Sequence, residues 1–582
     1  MRWPAMLKAR CMLSFMKYVF PLVSALILGL SPSAYAQSAA SAPINDRALV
    51  LGILAAEFSL QNGDLSTAAS TYYEVAKRSQ DAKVAERAVE LLMRGRRIDD
   101  AKEIAALWQR SAADSMRPHQ VALALALTSQ DEPRAENAVK LIAELPEALR
   151  PAAIMDVARQ LAQYRDRDFA VKLASVFTER LPKLAESQYA LAVASTGTGN
   201  ARLGEAMIAI DRALAIKADW PQAVAVKSRL LLAKAVLAKT PVAEAGGDAL
   251  ALLEAAITAN PDARELRLLL ARTLFDLDKF VDARKGFLAL AEDGKEDADE
   301  MRLAATLSSF QGQDWQVAEK EFTEALAADR GEPQAILYYL ARISENRKRW
   351  SEAAERFALV PRGERYWESQ LRVAGAMAQD QRLLSAIGHL RGLTPSTPVE
   401  RLTLAQTEST LWRDAGDNVK AFAALDAALV GDADNADLLY DSAMLAERID
   451  RMDEAEKRLR RVIVLQPDRA HAHNALGYSF ADRNINLDEA RTLIEKAHSL
   501  SPDDPAILDS LGWIAFRQNR LKDAEGFLRR AIDKFKDGEI AAHLGEVLWA
   551  QGRKDEAKAV WQAQLKAQPD SDILKKTMAR FE

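Results

Sequence analysis

Apolar positions in the C-terminal half of the chain recur with helical spacing, and the recurrence itself repeats. Leu476-Gly477 is followed 35 residues later by Leu511-Gly512, and 33 residues after that by Leu544-Gly545. Thirteen or fourteen residues past each Leu stands Ala490, Ala524 or Ala557, and four beyond it Ile494, Leu528 or Trp561. Three further on come Ala497, Ala531 and Gln564, and Pro502 and Pro569 close two of the units. Short polar turns ("DRNINLDE", "RQNRLKD", "QGRKDE") lie between the Leu and the Ala. Each unit therefore reads as two amphipathic helices joined by a turn. Antiparallel helices approach to about 8–10 Å only over small side chains, which calls for Gly on the first helix and Ala on the second. The larger Ile, Leu or Trp is expected to fill the gap toward the next unit, and Pro to end the second helix.

The same frame continues upstream. Ala455, Leu459 and Pro467 belong to one unit, and Ala421, Leu425 and Ala428 to another. Ala386, Ala353, Ala318, Ala283 and Ala249 follow at intervals of 33–35 residues, each with an apolar partner four positions on. A regular array is expected over 248–570, with a capping helix over 571–582. Residues 48–247 read as degenerate repeats of the same kind, with helices broken at Pro118, Pro133, Pro146, Pro151 and Pro182. Ala238–Gly247 reads as a small-residue insertion. No stretch alternates as a strand does, so the fold is expected to be all-α.

A period of about 34 residues with this small-residue pattern resembles the tetratricopeptide repeat. The resemblance implies an α-solenoid, a right-handed superhelix of antiparallel helix pairs, with 11–14 repeats counting degenerate ones. The Leu49–Ala101 region, "LAAEFSLQNGD" with "YYEVAKRSQDAKVAERAVELLMRGRRIDDA", also resembles the first repeats of a proteobacterial envelope family. That family's tetratricopeptide adaptors partner periplasmic carboxyl-terminal processing proteases and help deliver cell-wall hydrolases to them.

The N-terminus changes the picture of where the chain works. Lys17 precedes an apolar run from Tyr18 to Leu30, and Ala34-Tyr35-Ala36 follows. This is the layout of a secretory signal peptide over 1–36, with Ala34 and Ala36 marking the cleavage site and residues 37–47 a flexible lead-in. The run is shorter than the roughly 20 residues of a spanning helix. No cysteine follows it where a lipid would attach, whereas the adaptors carry one. Cys11, the only cysteine, would leave with the leader, and the net charge of −5 would fall to −9 with the loss of Arg2, Lys8, Arg10 and Lys17. An exported, periplasmic protein is expected, free or peripheral to a membrane, with a retained N-terminal anchor as the alternative. The weak acidic balance gives no reason to expect nucleic acid.

Candidate chemistry is sparse. The six histidines form no HExxH; His471 and His473 are two apart and diverge on a helix, so the histidines read as surface or groove residues. No catalytic serine elbow or phosphate loop stands in a strand-turn-helix context, and Gly197–Asn200 reads as a turn. No cofactor, metal or small-molecule substrate is expected, and the chain is not expected to be an enzyme. What remains is the face that the first helices present in such repeats. There Tyr440 and Met444, then His471, Asn474 and Tyr478, then Asp509, Trp513, Phe516 and Arg517, then Glu546 and Trp549 form an aromatic stripe with polar groups between. Such a stripe suits peptide recognition, although its aromatics could equally interlock neighbouring repeats. The expectation is a non-enzymatic scaffold binding proteins, and the envelope resemblance implies a processing protease and its hydrolase substrates as partners. A scaffold for exopolysaccharide or outer-membrane assembly is the second reading. A hydrolase within the irregular 101–201 region is the third.

Overall fold

The computed structural model describes residues 47–196, 199–238 and 246–581. The expected leader with Ala34 and Ala36, residues 37–46, part of the 197–200 turn and most of the small-residue insertion lie outside the described residues. Within them the chain forms 31 α-helices and one short 3-10 helix, with no strand. It is an all-α solenoid of helical hairpins. Helices are numbered in chain order from α1 (Arg47–Gln61) to α31 (Asp572–Arg580).

Internal contacts divide the chain into two compact units at Thr273/Leu274. This point lies inside α13 (Arg264–Asp276), some way past the change in sequence regularity at 247/248. The first unit holds six hairpins, from α1 with α2 (Leu65–Ser79) to α11 (Pro221–Leu237) with α12 (Gly247–Ala259). The second opens on α14 (Phe280–Glu292), continues through eight hairpins to α29 (Gly538–Ala550) with α30 (Lys554–Ala567), and ends on α31.

Most of the hairpins turn by the same device. Two residues after the first helix ends, one residue adopts left-handed backbone: Gly63, Arg96 and Gln130 in the first unit, and Gln313, Lys348, Gln381, Gly416, Asp450, Asn484, Asn519 and Gly552 in the second. The next amide then donates five residues back, as Arg349 does to Ser344 at 2.8 Å and Arg520 to Ala515 at 2.8 Å. This closes the helix end in a Schellman turn. In several hairpins the same residue also caps the second helix, as Asp64 does from its Oδ1 to the Thr67 amide at 3.0 Å. The period is thus written in backbone conformation as well as in small side chains.

Pro118, Pro133 and Pro151 start helices instead of breaking them, whereas Pro146 and Pro182 lie just past helix ends, as expected. Pro133 and Pro151 occupy the first turn of α6 (Glu132–Glu144) and α7 (Arg150–Leu161), where no intrahelical donor is needed. Pro118 is the third residue of α5 (Met116–Thr128). The large residues of the second helices also sit elsewhere than expected. A Cβ on Gly477 would lie 2.6 Å from Ile494 Cγ1, and one on Gly512 2.5 Å from Leu528 Cγ; one on Gly545 would strike the Trp561 indole. Ile494, Leu528 and Trp561 therefore fill the notch that the glycine leaves within their own hairpin, not the gap to the next one.

In the second unit several first helices of successive hairpins touch one another, α25 (Ala470–Asp482) and α27 (Pro505–Arg517) most extensively, and no pair of second helices approaches as closely. The first helices are therefore the inner layer, and side chains on their shared face are the ones that meet across repeats.

Two substitutions in one hairpin should have opposite signs. Gly512→Ala places a methyl against Leu528 and the Ala524 carbonyl, and should destabilise by about 1–3 kcal/mol. Gly526→Ala, on the second helix with nothing within 4 Å of the added carbon, should stabilise by up to about 1 kcal/mol. Thermal melting of the full chain followed by circular dichroism tests both. A third, Lys348→Gly, relieves the left-handed backbone at φ +57° and should raise stability by about 0.5–1 kcal/mol.

Candidate functional site

Four first helices build the C-terminal inner face: α23 (Ala436–Arg448), α25 (Ala470–Asp482), α27 (Pro505–Arg517) and α29. Polar side chains link them one to the next. From the first helix before them (Pro398–Asp414), Gln406 donates to Asp441 Oδ2 at 2.8 Å. Arg517 donates to the Asp482 carbonyl at 2.8 Å. Asp509 accepts from His543 Nδ1 at 3.0 and 3.1 Å. Glu546 is held by Arg580 of α31. One contact skips a helix: the Tyr478 hydroxyl donates to Glu539 Oε1 at 2.6 Å, from α25 to α29 across α27.

The floor of this face is a packed aromatic and ionic stack. Trp513 is 4% exposed, with the His543 ring 4.0 Å away and inclined by 21°. Phe516 lies 5.2 Å from the same indole, and the Arg517 guanidinium stands 4.7 Å over it. Asp509 and His543 are themselves 6% and 5% exposed. Burial alone would push the His543 pKa down, but the Asp509 carboxylate against Nδ1, with Glu539 and Glu546 nearby, overrides it and leaves the imidazole above its usual range. Burial raises the Tyr478 hydroxyl strongly, and Glu539 adds to the rise.

The residues of the predicted stripe separate into three groups. Asp509, Trp513, Glu546 and the Tyr478 hydroxyl hold the floor together. Tyr440, Met444, Asn474, Phe516 and Arg517 are half-buried along it, Tyr440 beneath the Arg469 guanidinium at 4.5 Å, and His471 is exposed, 3.9 Å from Asp504. Trp549 turns away toward the end of the array, 6.0 Å from Trp561 and 5.2 Å from Phe581. The histidines also divide: His119, His473 and His543 are buried, not surface residues. His473 Nε2 meets the Pro467 carbonyl at 2.9 Å, so the ring is spent on a turn.

Sequence reasoning missed Glu539, His543, Asp441 and Glu447. His543 immediately precedes Leu544-Gly545, a register that faces the previous first helix, and that spacing could have flagged it. Asp441 and Glu447 sit above the usual carboxylate range because burial outweighs the Gln406 amide for the first, and the Ser479 hydroxyl and Arg483 for the second. The inner face thus carries partly desolvated carboxylates beside aromatic surface, a combination suited to holding donors and apolar groups of another chain.

Two sequence profiles described as tetratricopeptide repeat match the chain, one over residues 243–306 and the other over 307–365, 440–505 and 483–540. The chain carries tetratricopeptide repeats over these residues. A TPR repeat-containing protein of Pseudomonas aeruginosa, PA4667, is 40% identical over 212 residues, a stretch covering 36% of each chain. The chain therefore matches about a third of that relative's length. A tetratricopeptide repeat protein from Parabacteroides merdae has a TM-score of 0.33 at 14% identity, over 48% of this chain and 97% of its own. Yeast Tom70 has a TM-score of 0.29 at 14% identity, over 75% of this chain and 96% of its own.

The buried pair gives a pH-dependent prediction. A histidine whose folded pKa is raised stabilises fully below its unfolded value of about 6.5, and the contribution fades as pH rises through the folded value. Asp509→Asn should therefore cost about 2–3 kcal/mol at pH 6 and progressively less toward pH 9, read from melts of both proteins across that range. A difference that does not change with pH would mean that His543 is neutral throughout.

Proposed function

We propose that the protein is a non-enzymatic, exported scaffold whose C-terminal inner face holds segments of protein partners. Its N-terminal repeats dock a carboxyl-terminal processing protease, to which the held chains, cell-wall hydrolases among them, are presented. The observation that carries the reading is the half-buried row of Tyr440, Met444 and Phe516 beside the desolvated carboxylates Asp441 and Glu447. The tetratricopeptide fold is a protein-interaction fold, which favours protein partners over small molecules. The export reading rests on the 1–36 leader, and the protease on the likeness of Leu49–Ala101 to envelope adaptors.

The Asp509–His543 pair is the arrangement that could argue for chemistry, since a carboxylate orienting an imidazole is half of a hydrolytic triad. Here the imidazole lies flat under Trp513 in a packed stack, which supports a structural role for the pair.

Large interface aromatics often carry more than about 2 kcal/mol. Tyr440→Ala combined with Phe516→Ala should therefore reduce recovery of the partner at least about thirtyfold, with the helical melt little changed. Affinity capture of the tagged full chain from an envelope fraction, with identification of what is retained, provides the measurement. Equal recovery by the double variant rejects the inner face as the holding site. Absence of a processing protease among the captured proteins, and no acceleration of substrate cleavage when purified protease and scaffold are mixed, rejects the adaptor role.

A further inference from the structure

A second site lies in the first unit, away from the C-terminal inner face. A pocket of about 470 Å³ opens between α7, α9 (Ala185–Thr196), α10 (Leu203–Ile216) and α11. Its walls are apolar: Ala158, Val193, Leu203, Val226, Leu230 and their neighbours. The volume falls in the range of small-molecule sites, about 300–1,000 Å³.

Three polar groups converge on these walls. Tyr189 packs against Trp220, with ring centroids 4.9 Å apart and planes inclined by 36°, and its hydroxyl has no hydrogen-bond partner among the described residues. Arg229 is exposed at the rim and forms no ion pair among the described residues. Arg159, also on the lining, pairs with Asp156 of its own helix. No carboxylate lines the pocket. Burial raises the Tyr189 pKa, Arg229 and then Arg159 offset part of the rise, and Glu265 adds a smaller rise, so both cations act on the hydroxyl's surroundings. A donor without an acceptor, an uncompensated guanidinium and apolar walls together lack one thing, an anionic acceptor carried on an apolar body.

From the apolar walls and the converging Tyr189, Arg159 and Arg229, we infer that this pocket binds an amphiphilic carboxylate. The apolar part lies along Val193, Val226 and Leu230, and the carboxylate accepts from the Tyr189 hydroxyl and the Arg229 guanidinium. Fatty acids and the free C-terminal ends of apolar peptides share this chemistry. The site is independent of the protein-holding role proposed above, and either can fail without the other.

Calorimetric titration of the full chain at low salt tests the inference with four probes. These are decanoate, decanol, and an N-acetylated alanine-leucine pentapeptide with a free carboxylate or as its C-terminal amide. At least one carboxylate should bind saturably with one-to-one stoichiometry, its neutral analogue at least about tenfold more weakly. Arg229→Gln, at an exposed position, should weaken the carboxylate at least about tenfold, and Tyr189→Phe by a few fold. Binding of decanoate alone assigns the site to fatty-acid-like ligands, and binding of the peptide alone assigns it to chain ends. No saturable binding of either carboxylate up to millimolar concentration, equal binding of neutral analogues, or unchanged affinity in Arg229→Gln overturns the inference.

Discussion

A single residue in left-handed backbone reverses the chain in most of the hairpin turns, and the rest of the structure depends on it. It lets the next amide reach back to a carbonyl five residues earlier, which ends the first helix at a fixed point and sets the entry angle of the second. Once the angle is set, two helices lie antiparallel, and whichever residue stands at their crossing must be small. At Gly477, Gly512 and Gly545 even a methyl group would meet the second helix, so the choice of glycine follows from the turn. That most of the left-handed positions are filled by Arg, Gln, Lys, Asp or Asn rather than Gly shows that the array tolerates local strain, of roughly 1–2 kcal/mol per site, because helix packing on either side over-determines the bend.

The repeat itself was legible in the sequence because crossing positions accept so few residue types. Ala490, Ala524 and Ala557 mark the second helices plainly, and so do their counterparts upstream. The turns were less legible, since a left-handed Lys348 or Gln381 looks like any polar loop residue. Some prolines of the first unit misled for a related reason: Pro133 and Pro151 are equally compatible with ending one helix or beginning the next, and only tertiary packing decides.

The candidate site was partly legible. The spacing that selects an inner face is the first-helix period, and it identified Tyr478, Asp509 and Trp513 correctly as members of one surface. It could not tell a side chain offered to a ligand from one consumed by the neighbouring repeat, because both occupy the same register. Trp513 and Asp509 proved to be the second kind once His543 arrived from the next helix, and so did the Tyr478 hydroxyl once Glu539 did. Those two partners were invisible for the same reason: their roles are set by residues 34 and 61 positions away. The polar cross-links of the inner layer therefore do two things at once. They satisfy groups that packing has stripped of water, and they leave Asp441 and Glu447 incompletely compensated where a partner can reach them.

Linear arrays of repeats ordinarily unravel from an end, one unit at a time, because each unit leans only on its immediate neighbours. The hydrogen bond from Tyr478 to Glu539 breaks that locality by joining hairpins that do not adjoin. Fraying that begins at the carboxyl terminus must give up this link when it reaches α29, before α27 has loosened, so the three last hairpins tend to open as one cooperative block. The stretch of solenoid proposed to grip other chains is thereby also the stretch least able to come apart piecemeal under their pull.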